Sequence, residues 1–157
     1  MSETTNNKFD QNILIMQLEE RYKAMHVIRE RTQNISLWTL GLFSTAAGLL
    51  VQNGSSLNEF RKIVLSFLVI LIYLLLRFYV LKDLNAGFIS QQKVAAKIED
   101  FLKLYDKDYY GKGSILPISW KEAGNKASNG NFFNTYFVMI GMAVIILLLG
   151  ILFKGKI

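Results

Sequence analysis

Apolar residues in this chain fall into three runs separated by polar stretches. The first, Leu37 to Val51 (LWTLGLFSTAAGLLV), holds no charge. The second, Ile63 to Leu81, has 17 apolar residues in 19, and its one charge is Arg77. The third, Phe132 to Phe153, runs 22 residues without a charge. A hydrocarbon core roughly 30 Å thick takes about 20 apolar residues in a helix. The second and third runs reach that length, and the first approaches it when its bounds are widened to 35–52. A run that is apolar on every face is not the amphipathic stripe of a surface helix. The pattern therefore predicts membrane spans at 35–52, 62–81 and 132–153. The first two are expected to form a hairpin turned by Gln52-Asn53-Gly54-Ser55-Ser56.

Between the runs the period changes. Leu14, Leu18, Arg21, Met25, Ile28, Thr32 and Ile35 alternate at spacings of four and three, a heptad seam with polar breaks at Arg21 and Thr32. Leu84, Phe88, Gln91, Ala95, Ile98, Leu102 and Tyr105 repeat the spacing, with a polar break at Gln91. Amphipathic helices are expected at 8–34 and 82–105. One leads into the first span and the other out of the second, so they are expected to pack antiparallel as a cytoplasmic stalk. Counted from the membrane, Met25 and Gln91 fall near the same height. Arg21, Met25, Gln91 and Ala95 are thus candidate stalk or oligomer-seam residues. Residues 106–131 read as a loop, with a short helix at 118–124 begun by a capping box, Ser119 to Glu122, behind Pro117. Trp120 either rests at the membrane interface or caps the foot of the stalk. The fold class expected is an all-α integral membrane protein: three transmembrane helices with an antiparallel helical stalk extending the first two.

Charge sets the orientation. The net charge is +6, from 18 basic and 12 acidic residues. Thirteen of the basic residues lie in 1–34 and 82–131, against four at Arg61, Lys62, Lys154 and Lys156. Arg29 and Arg31 immediately precede the first span, and nothing basic follows it until Arg61. The positive-inside rule then places the N-terminus in the cytoplasm and the C-terminus outside, in the inner (plasma) membrane. Trp38, Tyr79, Phe132 and Tyr136 would form a cytoplasmic aromatic belt. The polar first 34 residues lack the apolar core of a signal peptide, so the first span is expected to be a retained anchor. A basic balance concentrated beside membrane spans points to topology and anionic headgroups. No direct nucleic-acid binding is expected.

Composition narrows the chemistry. The chain has no cysteine and one histidine, His26. Disulfides, thiolate metal sites, a cysteine nucleophile and multi-histidine metal sites are excluded. No phosphate-binding loop, dinucleotide turn, serine elbow or zincin motif occurs. Arg21 and His26 have the R-x4-H spacing of HEPN ribonucleases, but the rest of such a domain is not visible, and an ordinary surface histidine is the plainer reading. No catalytic, cofactor-binding or metal residue is expected. Arg77 either snorkels to the headgroups or lines a pore. No acidic residue lies in any span to pair with it, which disfavours a carboxylate-based pump. Gly41, Ser44 and Gly48 give the first span a small-residue face for helix packing within or between subunits. These four are the candidate pore or interface residues.

The stretches RYKAMHVIRERTQNISLWTLGLFSTAAGLL and LLLRFYVLKDLNAGFISQQKVAAKIEDFL carry a further signal. A charged amphipathic helix enters a tight two-span hairpin, and a second one leaves it. Over residues 10–105 this layout resembles the SLATT-type small membrane effectors of bacterial conflict systems; the third span lies outside it. The resemblance implies an oligomeric pore-forming effector in antiphage defence, working beside nucleotide-signalling or nucleic-acid-sensing partners. The expected partners are the lipid bilayer, further copies of the chain and a cytoplasmic protein. The alternative is a non-conducting membrane anchor or scaffold that recruits a soluble partner.

Overall fold

The computed structural model describes residues 3–52, 57–107, 109–111, 113–126 and 130–153, without the side chains of 3–10, 51, 125–126 and 130–131. The expected hairpin turn at 53–56 lies outside the described residues. The described elements are helices and connecting turns. Helix α1 spans Glu3–Gln52, α2 Glu59–Leu75, α3 Lys82–Phe101, α4 Ile118–Lys126 and α5 Gly130–Phe153. Between α2 and α3, Leu76–Leu81 form a π-helical turn, so Glu59–Phe101 is one helical run of 43 residues.

The chain divides into two compact units. The first takes residues 1–30 and 85–129, and the second takes 31–84 and 130–157. In the first, the core is Leu18, Ala95, Ile98 and Leu102, with Leu14, Met25 and Leu104 against it. These are seam residues of α1 and α3. Ala95 is only 1% exposed. Gly87 faces Ile28, Phe88 meets Arg29, and Gln91 meets Arg21. The α1 partners of residues 87–88 are residues 28–29, and those of Gln91 and Glu99 are Arg21 and Tyr22.

Helix α3 stops at Phe101, short of the expected 105. Lys103 N–H bonds Asp100 O at 3.0 Å and Leu104 N–H reaches back to Glu99 O at 3.0 Å. This is a Schellman stop, with Lys103 in the left-handed region at φ 57°. Leu104 then packs against the cluster that includes Ile98, the apolar contact that accompanies such a stop. The same residue's carbonyl accepts a 3.0 Å bond from Leu116 N–H, which ties the following loop back to the helix end. Helix α4 starts at Ile118 and continues to Lys126. Ser119 is inside its first turn, not at the cap as the capping box would require. Trp120 N–H bonds Pro117 O at 3.0 Å, so proline opens the turn.

In the second unit Phe43, Val69, Leu81, Ile140, Val144, Leu147 and Ile151 form one buried cluster. Much of its surface is apolar and uncovered: Phe60 is 72% exposed, Phe67 66% and Ile146 63%. Two helical runs, Glu59–Phe101 and Phe132–Phe153, are long and apolar enough to cross a membrane, by length and composition. The most apolar stretches of these runs are 6% and 22% buried. The apolar end of α1 continues to Gln52, with the side chain of 51 outside the described residues.

Candidate functional site

The first unit builds a groove from three helices. Tyr22, Met25, His26 and Arg29 recur at helical spacing and so lie on one face of α1. Phe88, Gln92, Ala96 and Glu99 do the same on α3, and Trp120, Ala123 and Gly124 on α4. The cavity they enclose is about 510 Å3. Helix α4 closes one side through a small-on-small contact. A Cβ on Gly124 would stand 2.5 Å from the Cβ of Ala96 and 3.6 Å from the carbonyl oxygen of Gln92, so only glycine permits this approach. Trp120 lines the groove and is 55% exposed.

At the deep end of the groove sits a carboxylate. Glu99 is 5% exposed, and its two oxygens accept hydrogen bonds from the Tyr22 and Tyr105 hydroxyls. Burial, and secondarily the bond and the negative charge of Glu99, push both phenols above their ordinary range. They keep their protons and keep donating. Next to this cluster, Asp100 pairs with Lys121 of α4, and the Lys121 ammonium also lies over the Tyr105 ring at 5.8 Å. Loop, α3 and α4 are thus bound together at one end of the groove.

The wall carries few polar groups. The Gln92 Oε1 atom is buried without a hydrogen-bond partner. The Arg29 guanidinium lies 5.0 Å from the centre of the Phe88 ring. His26 is exposed at the rim. Among the described residues no cluster of three or more His, Cys, Asp or Glu could hold a metal ion.

The residues singled out from the sequence are placed as follows. Two of the three polar breaks meet: Arg21 Nη1 donates to Gln91 Oε1 at 2.9 Å, while Arg21 Nε is buried and unpaired. Gln91 therefore pairs one turn beyond Met25. Met25 contacts the core and lines the groove, and Ala95 is in the core. Arg21 is engaged with Gln91, and His26 lines the groove at an exposed position. Arg77 sits on the π-helical turn. Its Nη1 donates to the Tyr73 hydroxyl at 2.9 Å, and its guanidinium lies 5.9 to 6.0 Å from the rings of Tyr73, Phe78 and Phe137. Phe137 belongs to α5, as does Gly141, where a Cβ would be 3.4 Å from the Tyr73 hydroxyl. The arginine is clasped by aromatic side chains at the α2–α5 packing. Gly41, Ser44 and Gly48 are exposed, and a Cβ on either glycine would meet nothing within 4 Å. Glu99 and Tyr22 were not singled out from the sequence. Glu99 flanks the seam residue Ile98, and that position was its only signal.

No protein family, curated protein or solved structure matches the chain.

Proposed function

We propose that this chain is a small oligomeric inner-membrane protein with three spans, whose cytoplasmic helices control a membrane-perturbing or pore-forming activity used in antiphage defence. The observation that carries the membrane reading is the uncovered apolar surface of the second unit. Its most apolar stretches are almost unburied, an arrangement stable in lipid and costly in water. The self-association reading rests on the α1 face at Gly41, Ser44 and Gly48, which is exposed among the described residues and which suits close helix approach. The N-terminus is cytoplasmic and the C-terminus outside, as the basic residues flanking the first span indicate. The role in defence rests on the SLATT-like layout of residues 10–105. The function requires no catalytic residue, no cofactor and no nucleic-acid contact.

Reconstitution in liposomes tests this. Purified chain is expected to release an entrapped ion and to collapse an imposed membrane potential. Gly48→Leu, which blocks the small-residue face, is expected to cut the flux at least tenfold while insertion is unchanged. Arg77→Leu tests the other candidate pore residue. Absence of flux from inserted, oligomeric protein would leave the anchor or scaffold reading in its place.

A further inference from the structure

Arg77 is the only charge in the three apolar runs, and its side chain does not take the course of a snorkelling arginine. An arginine near the end of a span ordinarily extends toward the nearer headgroups. The nearer end of its run is Leu81. Yet Arg77 Nη1 donates back to the Tyr73 hydroxyl, one turn toward the middle of the run, at 2.9 Å. The rings of Tyr73, Phe78 and Phe137 stand 5.9 to 6.0 Å from the guanidinium. Hydroxyl and rings hold the cation without neutralising it. No acidic residue lies in any of the three runs to do so. The residue is nevertheless exposed on the helix surface. An ionised side chain inside a span is costly against hydrocarbon, and such residues face a bundle interior or a water-filled path and mark ion pathways. The backbone adds a second sign. Arg77 sits on the π-helical turn Leu76–Leu81, and single π turns inside α-helices are frequent at functional sites.

On the pore-forming reading, on which this rests, we infer that the pore passes small anions and that Arg77 is the charge that selects them. Each copy of the chain contributes one guanidinium, and a ring of arginines favours anions over cations. The bond to Tyr73 uses one N–H of a group that carries several, so others can replace part of an anion's hydration shell. Charges at the ends of the second span do not reverse the sign. Asp83 stands beside Lys82 at one end, and Glu59 stands with Arg61 and Lys62 at the other.

Purified full chain in planar bilayers of phosphatidylcholine, a lipid without net charge, tests this. The reversal potential across a KCl gradient is read as a chloride-to-potassium permeability ratio. The wild type is expected to favour chloride at least about fivefold. Arg77→Gln is expected to bring the ratio to within about twofold of one while currents persist, and Arg77→Lys to keep most of the preference. Wild-type currents that favour potassium, or neither ion, overturn the proposal and leave the pore-forming reading standing. An Arg77→Gln ratio equal to that of the wild type does the same. Inserted chain that passes no current overturns both. Should Arg77→Gln fail to insert, Tyr73→Glu decides in its place, because it sets a carboxylate against the guanidinium. Its chloride preference is expected to vanish, and an unchanged preference overturns the proposal.

Discussion

The two units bury polar groups in opposite ways. In the first, polar atoms bridge elements far apart in sequence: Arg21 with Gln91, and Tyr22 with Glu99, 70 and 77 positions away. In the second, buried hydroxyls turn back on their own helix. Ser36 Oγ donates to Thr32 O at 2.7 Å and Thr39 Oγ1 to Ile35 O at 2.7 Å, each four positions back. Ser36 and Thr32 are fully buried, yet the Ser36 bond joins nothing to α1 but α1 itself. The difference shows what each unit uses polarity for. The first has a thin core of alanine and leucine, and long-range polar bonds specify its pairing. The second has a continuous apolar cluster, and the bonds of Ser36 and Thr39 satisfy those hydroxyls without joining elements, while Ser66 Oγ is buried without a partner.

Substitutions can break or sharpen this contrast. The largest effect is expected at Glu99. Glu99→Ala strips both phenols of their acceptor and should cost about 3 kcal/mol, read as a fall in the unfolding midpoint in detergent. Gly124→Ala forces a Cβ into Ala96 and should cost about 2 kcal/mol, with α4 loosening first in hydrogen exchange. Lys103→Gly should raise stability by up to about 1 kcal/mol, because glycine takes the left-handed stop of α3 without the steric penalty. The smallest change is expected from Ser36→Ala, within about 0.5 kcal/mol, since only a self-directed bond is lost. A large loss there would erase the distinction between the units.

Alkaline pH gives a further test. Both phenols titrate higher when folded than the unfolded value of about 10. Their contribution is complete below that unfolded value and is lost as pH rises from it through the higher folded values. The first unit should therefore melt more easily at about pH 11 than at about pH 9. A Tyr22→Phe/Tyr105→Phe variant should show less of this loss.

The seams were legible because heptad spacing is local. Leu14, Leu18, Met25, Ala95, Ile98 and Leu102 all enter or touch the core of the first unit. The polar breaks at Arg21 and Gln91 were legible as breaks, and each proved to be the other's partner. Glu99 was not legible, because its meaning comes from Tyr22 and from Tyr105, which lies beyond the helix end. The end of α3 was missed because its left-handed stop is made by a lysine, a position glycine usually marks. The π-helical turn has no periodic signature in Leu76–Leu81. The groove was invisible for a different reason. Its third wall depends on the fit of Gly124 against Ala96, two small residues that carry no hydrophobic pattern.

The Glu99 cluster also has a consequence for synthesis. Tyr22 leaves the ribosome long before the residues it must join, and the latch is complete only when Tyr105 has followed it. At translation rates of about 5–20 residues per second, that delay is roughly 4–17 s. Throughout it, the inner face of the nascent N-terminal helix has neither its apolar neighbours nor its acceptor. The early life of the chain therefore contains a waiting period in which this face must be shielded by something other than its final partner.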